Sequence, residues 1–200
     1  MEKENLPLIL GSASSERLVL LKSIGIIPDE VISVDLDETE RKKEKAYHYC
    51  KRVAQEKFFA VAKIIKSKKS ILITSDTTAV ASGKLLHKTY DDKILREYFK
   101  LISGKRHKVI SAVCCGIVEN NEVESIRTKV VESTVSVKKM HDIEIEAFIA
   151  SKEGLGKAGG YTLKGLMACN VKQINGSFYS ILGLPLYETS QLLNSLGYKR

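Results

Sequence analysis

The stretch LPLILGSASSERLVLLKSIG, residues 6–25, decides how the fold begins. Its apolar start, residues 6–10, predicts a buried strand, and residues 17–24 predict a helix that places leucines on one side and ends at Gly25. Three serines fall between these two elements: Ser12, Ser14 and Ser15. Because one serine is enough to cap a helix, the cluster indicates either a capped turn with solvated hydroxyls or a site that binds an anion.

A phosphate group is the anion that this strand–loop–helix unit suits best. The start of a helix offers free backbone N–H groups and the positive end of the helix dipole, and serine hydroxyls add further donors. Arg17 adds a charged fork whose geometry matches phosphate oxygens. The sequence contains neither GxGxxG nor GxxxxGKS/T, so the Rossmann and P-loop solutions are excluded.

The composition is that of a globular protein, since 44% of the 200 residues are hydrophobic and 28% are charged. This length suits one domain or two small lobes that share a sheet. No apolar run approaches the roughly 20 residues of a membrane helix, so no membrane partner is expected. The four cysteines show neither CxxC nor metal-ligand spacing, which argues against zinc and favours reduced thiols in the cytoplasm.

The formal charge of +8 favours anionic partners, either nucleic acid or phosphorylated small molecules. The longest basic cluster, residues 105–108, is short, and the aromatic residues (6% of the chain) do not interleave with basic ones. The stacking platform of a single-strand binder is therefore missing, and no nucleic-acid partner is expected. A basic RNA-binding domain remains the weaker alternative, and a homodimer remains open as the assembly.

Apolar periodicity predicts alternating strands and helices in the first half of the chain and a long hairpin in the second. Asn120-Asn121 is the two-residue connection of that hairpin, since asparagine tolerates positive φ. Helices are expected at 44–66, 92–102, 142–150 and from 185 to about 196, and strands at 31–35, 70–74, 109–119, 122–137 and 167–174. The fold class is therefore α/β with a mixed sheet, parallel early and antiparallel late.

Charged side chains stand at the boundaries of several predicted elements. Asp76 directly follows a predicted strand, where a carboxylate holds Mg²⁺, acts as a base towards water, or closes an Asx-turn. Glu38 ends an acidic group, residues 35–38, that follows another short strand. Apolar residues recur at spacings of three and four along the long helix and form one stripe: Tyr47, Cys50, Ala54, Phe58, Val61 and Ile65. Lys57 falls beside this stripe, whereas Arg52 lies opposite it and is expected to meet water.

Two further lysines stand in turns. Lys88 follows the turn Ser82-Gly83, and Lys157 lies within GLGKAGGY, where flanking glycines let a ligand approach the backbone closely. Each lysine alone is typical of a protein surface. Together with the hydroxyls and carboxylates, they favour a site for a phosphorylated ligand.

Eight short motifs in order, spanning residues 6 to about 193, make the chain resemble the Maf family of nucleoside triphosphate pyrophosphatases. In the family they read roughly LASxSPRRxxLL, DE, RLAxxKA, DTxV, KP, SGxxHxV, KAGxYxxQG and GLPL. Here they read LGSASSERLVLL, DE, RVAQEKF, DTTA, KT, SGKRHKV, KAGGYTLKG and GLPL.

The resemblance implies a two-lobed Maf/ITPase-like α/β fold, with a bent mixed central sheet flanked by helices and a cleft between the lobes, in a single domain over residues 1–200. It implies hydrolysis of a nucleoside triphosphate between the α- and β-phosphates, with Mg²⁺ or Mn²⁺ held by Asp76 and Glu38. The positions that match the catalytic set are Asp76, Glu38, Lys57 and Lys88. The positions that match the substrate-binding set are Ser12, Ser14, Arg17, Thr77, Lys157 and Lys164.

Departures from the family pattern bear on the substrate. Glu16 stands where the family has the first arginine of SPRR, and Lys164 stands where it has the glutamine of QG. With Thr77, those two positions resemble the substrate-selection set of members that prefer dTTP and UTP, and only Thr77 is kept. A lysine donates hydrogen bonds but cannot accept them, so a dTTP/UTP preference is not predicted. Thr89, in place of the proline of KP, is expected to cost rigidity rather than chemistry.

Two functions follow from the resemblance. The first is an active pyrophosphatase that removes non-standard nucleotides or affects cell division. The alternative is a catalytically weak nucleotide-binding regulator of septum formation. The complete set of Asp76, Glu38, Lys57 and Lys88 favours the enzyme.

Overall fold

The computed structural model describes residues 6–199 and has a mixed α/β fold. Its strands are β1 (Leu8–Gly11), β2 (Glu30–Ile32), β3 (Lys69–Ala81), β4 (Lys84–Leu86), β5 (Arg106–Glu119), β6 (Glu122–Val137) and β7 (Val171–Asn175). Its helices are α1 (Ser15–Ser23), α2 (Ala46–Ala62), α3 (Asp92–Ile102), α4 (Asp142–Ser151), α5 (Phe178–Ile181) and α6 (Leu186–Ser195). Two short 3₁₀ segments lie at Ala158–Gly160 and Leu166–Asn170.

The seven strands form a mixed sheet in the order β2-β1-β3-β5-β6-β7, with β4 paired to β3. β1 runs parallel to both β2 and β3, so that Leu10 lies beside Val31 on one side and Ile73 on the other. β4 is antiparallel to β3, and β7 is antiparallel to β6. The prediction of a sheet that is parallel early and antiparallel late is confirmed.

The chain divides into two compact units. Among the described residues, the first unit comprises 6–76, 111–130 and 183–199, and the second comprises 77–110 and 131–182. The first unit holds β1, β2, α1, α2 and α6, and the second holds β4, β7, α3, α4 and α5.

Helix α2 supplies much of the core of the first unit. The predicted stripe is largely correct, since Cys50, Ala54, Phe58 and Val61 are all buried. Its first position is wrong, because Tyr47 is 45% exposed whereas Tyr49 is only 3% exposed. Tyr49 lies four and eight residues before Val53 and Lys57, so helical geometry places these three on one face.

Helix α3 anchors the second unit and has the predicted bounds. Asp91 caps its start, since the Asp91 carboxylate accepts a hydrogen bond from the backbone N–H of Lys93 at 2.7 Å. Phe99 of α3 packs against Phe148 of α4, with ring centroids 4.6 Å apart. Both rings are fully buried, so this contact joins α3 to α4 in one core.

Several sequence-based boundaries need correction. The strand expected at 70–74 continues to Ala81, since the β-branched residues Thr77, Thr78 and Val80 favour extended backbone. Residues 166–170 form a 3₁₀ turn rather than the start of the last strand. The short elements β4 and α5 were not predicted. The hairpin is confirmed, with positive φ at Asn120 and Asn121.

The four cysteines are free, and three of them are buried. Within residues 6–199, none of the helices combines the length and apolar character needed to cross a membrane.

Candidate active site

The first unit brings together three charged residues that lie far apart in the sequence. The Lys57 ammonium lies 2.8 Å from Asp76 Oδ1 and 2.7 Å from Glu38 Oε1. Asp76 is 3% exposed and Lys57 is 9% exposed, whereas Glu38 is half-buried. A buried carboxylate is tolerated only with a partner, and Lys57 is that partner for Asp76.

The structure corrects the position of Asp76 in its strand. Asp76 was expected just beyond the end of a strand, but it lies within β3, with five strand residues after it. Its backbone therefore continues a strand, and its carbonyl accepts a hydrogen bond from Cys50 Sγ of α2. This makes its placement more rigid than that of a loop aspartate, which is what a catalytic acid or base requires.

Arg17 is a second buried cation in the same unit. Its Nε donates to the carbonyl of Gly183 at 2.8 Å, and its Nη1 donates to Ser12 Oγ at 3.0 Å. Burial lowers the pKa of Arg17, and the nearby Asp76 carboxylate opposes this shift. An arginine side chain remains protonated in proteins. Arg17 thus adds a fixed positive charge close to Asp76.

The Ser12 hydroxyl is oriented by its two donors. Its oxygen accepts from Arg17 Nη1 and, at 3.2 Å, from the backbone N–H of Ser14. A serine hydroxyl has two acceptor positions and one O–H donor, so the O–H of Ser12 remains to donate to a ligand oxygen.

Ser14 and Ser15, the other two serines of the cluster, do not share the contact that Ser12 makes with Arg17. Ser14 is the N-cap of α1 by position, yet its side chain makes no capping hydrogen bond, and Ser15 is exposed at the first helical position. Of the three hydroxyls, only that of Ser12 is hydrogen-bonded to Arg17. Ser14 contributes its backbone N–H to that arrangement, and a phosphate contact by its hydroxyl stays a prediction.

Two residues of α2 near Asp76 were missed as site residues. Cys50 Sγ donates to the backbone carbonyl of Asp76 at 3.4 Å, and burial raises the pKa of this thiol, which therefore stays protonated. Burial, together with the charges of Asp76 and Glu38, also raises the pKa of Tyr49. Their spacing of seven and eight residues from Lys57 places all three on one helix face, a signal that the sequence did contain.

Arg52 does not project into water as expected. Its guanidinium is bound by Glu44 at 2.7 Å and Glu56 at 2.8 Å, and it donates to the carbonyl of Thr39 at 3.1 Å. Hydrogen bonding to Arg52 lowers the pKa of Glu44 to about 2. Arg52 therefore ties the chain after Glu38 to α2, which holds the segment that carries Glu38.

The second unit contains the remaining predicted residues. Lys88 and Lys157 are both exposed, and their neighbours in sequence are joined, since the N–H of Gly156 donates to the carbonyl of Thr89 at 2.9 Å. The two lysines therefore sit on adjoining backbone segments. Thr77 is half-buried in β3, and Lys164 is exposed, with its N–H bonded to Thr162 Oγ1 at 3.3 Å.

Thr89 makes up for part of the rigidity expected to be lost with the family proline. Its Oγ1 accepts from the N–H of Asp91 at 3.1 Å, and its carbonyl holds Gly156. A threonine that closes a local turn in this way restricts the backbone after Lys88.

The glycine loop, residues 154–165, is held by close packing. Gly159 has φ 73°, and a Cβ there would come within 2.8 Å of Ala79 Cβ. Tyr161 is buried and its hydroxyl lies 2.6 Å from His107 Nε2. Burial lowers the pKa of His107 to about 4, so the imidazole is neutral at physiological pH. The pair joins β5 to the loop that carries Lys157.

The donor set suits a divalent cation that is shared with a ligand. Within residues 6–199, no group of three or more His, Cys, Asp or Glu side chains could hold a metal ion by itself. Asp76 and Glu38 contact the same ammonium, so two carboxylates do lie close together. Mg²⁺ commonly binds to one or two carboxylates and completes its shell with phosphate oxygens and water, and these two residues fit that pattern.

The buried lysine–carboxylate cluster and the buried Arg17 in a mixed α/β fold suit an anionic ligand. The family described as Maf-like protein matches residues 7–196, and the chain belongs to this family. The recognition made from the eight motifs is confirmed.

Curated relatives extend over nearly the whole chain. A protein of Rickettsia akari named nucleoside triphosphate pyrophosphatase is 37% identical over 98% of this chain and 97% of its own length. A protein of Hyphomonas neptunium named dTTP/UTP pyrophosphatase is 39% identical over 97% of both chains. A crystal structure of a nucleoside-triphosphatase / dITP/XTP pyrophosphatase from Mycobacterium abscessus matches 66% of this chain and 75% of its own. The two chains are 13% identical in sequence, and the TM-score is 0.34.

Proposed function

We propose that this protein is a metal-dependent nucleoside triphosphate pyrophosphatase that cleaves the bond between the α- and β-phosphates. The observation that carries the proposal is Lys57, which bridges Asp76 and Glu38 in a buried cluster. The names of relatives at 36–39% identity over nearly the full length support it.

Asp76 is the proposed general base. Water attacks the α-phosphorus, its proton passes to the Asp76 carboxylate, and the bond from the α-phosphorus to the bridging oxygen breaks to release pyrophosphate and a nucleoside monophosphate. Lys57 holds Asp76 in place through the 2.8 Å contact to Oδ1. Two of its three N–H groups serve the two carboxylates, which leaves one for a phosphate oxygen.

The charge of the cluster explains why further cations are needed. Asp76 and Glu38 are balanced by Lys57 and Arg17, so these four side chains carry no net charge before a ligand binds. A triphosphate brings several negative charges that must be offset as the reaction proceeds. A divalent cation bound by Asp76 and Glu38 would supply positive charge at the phosphates and orient the attacking water.

The other roles follow from the matched family positions. Ser12 and Arg17 bind phosphate oxygens, with the Ser12 O–H as the donor. Lys88 and Lys157 offset phosphate charge, Thr77 lies with the substrate-selecting positions, and Lys164 contacts the base. These roles, the cytoplasmic location and the single-domain organisation stay predictions, as does an effect on septum formation.

The test is a panel of nucleoside triphosphates with Mg²⁺ or Mn²⁺, in which monophosphate plus pyrophosphate is scored against diphosphate plus orthophosphate. We expect the first pair of products, and we expect Asp76→Asn to lower kcat by at least a thousandfold. Asp35→Asn is the matched control, because Asp35 is an exposed carboxylate outside the buried cluster.

Unchanged turnover in Asp76→Asn would remove Asp76 from its role. Nucleotide binding by the wild-type protein without release of either product pair would favour the regulatory alternative over the enzyme.

A further inference from the structure

A concave surface in the second unit has no part in the proposed reaction. Its cavity volume is about 400 Å³, and it is formed where the start of β5, the end of β6 and β7 come together. Three basic residues line it, namely Lys105, Arg106 and Lys172, and no acidic residue does. This size falls within the range of small-molecule sites in proteins.

The backbone brings these three cations together from distant parts of the sequence. The N–H of Val137 on β6 donates to the carbonyl of Lys105 at 2.9 Å, which aligns the chain before β5 with the end of β6. On the other side, Ser136 pairs with Gln173, but Val137 pairs with Val171. Lys172 is thus an extra residue in β7 without a partner on β6. Such β-bulges redirect a side chain and are enriched beside binding sites.

The three cations are exposed and none of them forms an ion pair with a carboxylate of residues 6–199. Other basic residues of the same unit do form ion pairs with carboxylates. The pairs are Arg96–Glu146, Lys108–Glu132 and Lys152–Asp92. Three unneutralised positive charges around one cavity repel one another, and a bound anion would remove that cost.

We propose that this surface is a second binding site, separate from the catalytic residues, for a small anion that carries two or more phosphate groups. The lining also contains Ser136 and Gln173, whose side chains supply neutral hydrogen-bond donors. It contains no aromatic ring on which a base could stack, so the site recognises phosphate rather than the base. A concave surface of this size with three cations suits pyrophosphate better than an extended nucleic-acid strand.

The test follows binding at this surface directly. Isotope-labelled protein is titrated with inorganic pyrophosphate, and the backbone amide signals of Ser136 and Gln173 are monitored by NMR. We expect saturable shifts at these amides in the wild-type protein. The triple variant Lys105→Gln, Arg106→Gln, Lys172→Gln is expected to bind at least tenfold more weakly at the same signals.

A charge-matched control separates a specific site from general attraction. The triple variant Arg96→Gln, Lys108→Gln, Lys152→Gln also removes one arginine and two lysines from this unit, and it should keep the wild-type affinity at Ser136 and Gln173. Asp76→Asn should keep it too, so the result does not depend on the proposed reaction.

Three outcomes would overturn the proposal: no shift in the wild-type protein, equal weakening by both triple variants, or tight binding of a single-stranded RNA oligonucleotide at these amides without any binding of pyrophosphate.

Discussion

The charged residues of the two units differ in how firmly they are held. In the first unit, Asp76, Lys57 and Arg17 are buried and each is fixed by hydrogen bonds to a neighbour. In the second unit, Lys88 and Lys157 are exposed, and the backbone segments next to them are joined by the hydrogen bond from Gly156 to Thr89. Buried, preorganised groups suit the acid–base step, whereas exposed lysines suit phosphates whose charge shifts during the reaction.

Removing one lysine from each unit should have very different effects on stability. Lys57→Met leaves two carboxylates without their shared cation, and we expect a loss of about 3 kcal/mol of unfolding free energy. Lys88→Met changes an exposed side chain and should stay within about 0.5 kcal/mol of the wild type. Urea unfolding measures both values, and equal losses would contradict the comparison.

The second unit has its own buried titratable group in His107. Its pKa of about 4 in the folded protein lies below the ordinary value of 6.5, so between these values the unfolded chain binds more protons. Stability should therefore fall as pH drops from 6.5 to 4, by at most about 3 kcal/mol from this residue.

The measurement for His107 is the melting temperature as a function of pH in the wild type and in His107→Phe, which keeps a ring beside Tyr161. We expect a flatter profile for the variant between pH 6.5 and 4. Parallel profiles would show that other groups, not His107, cause the dependence.

A smaller effect is expected from the glycine loop. Gly156→Ala forces a side chain onto φ 68° and brings its Cβ to 2.8 Å from the Tyr90 hydroxyl, whereas Gly83→Ala meets the same backbone strain in open space. Each should cost about 1 kcal/mol of stability. Only Gly156→Ala should also raise KM severalfold, because it displaces the segment that carries Lys157, and equal kinetics in both variants would contradict this.

The smallest predicted effect is a change of substrate ranking. Lys164→Gln restores a side chain that both donates and accepts hydrogen bonds, so we expect a severalfold shift in kcat/KM towards pyrimidine triphosphates. A triphosphate panel measures the ranking, and the same order before and after the change would show that Lys164 does not select the base.

Much of the fold was predictable because local patterns and tertiary packing agree. The apolar stripe of α2, the capped start of α3 and the Asn120-Asn121 turn are each encoded within a few residues. The end of β3 was not predictable in this way. The run after Asp76 (TTAVA) has strand propensity, but the position at which the strand ends depends on its pairing with β4, which continues to Ala81.

The candidate site was predictable as a set of residue types but not as a set of contacts. The motifs identified Asp76, Glu38 and Lys57, and helical spacing placed Lys57 near the buried face. Nothing local indicated that Arg17 would bind the carbonyl of Gly183, because 166 positions of sequence separate them. The pairing of Arg52 with Glu44 and Glu56 was missed for a related reason, since exposure was judged from one helix alone.

The family, the order of the longer elements and the residues available for chemistry follow from the sequence, because these depend on short spacings and on side-chain type. Three features depend on the tertiary structure. Lys57 bridges two carboxylates, and the Ser12 O–H is left to donate to a ligand. Lys172 is the extra residue of a β-bulge and lines the same concave surface as Lys105. Each of these depends on where distant segments meet. The meeting of distant segments depends on the simultaneous burial of many apolar residues and the pairing of many backbone groups. No short stretch of the chain contains this information.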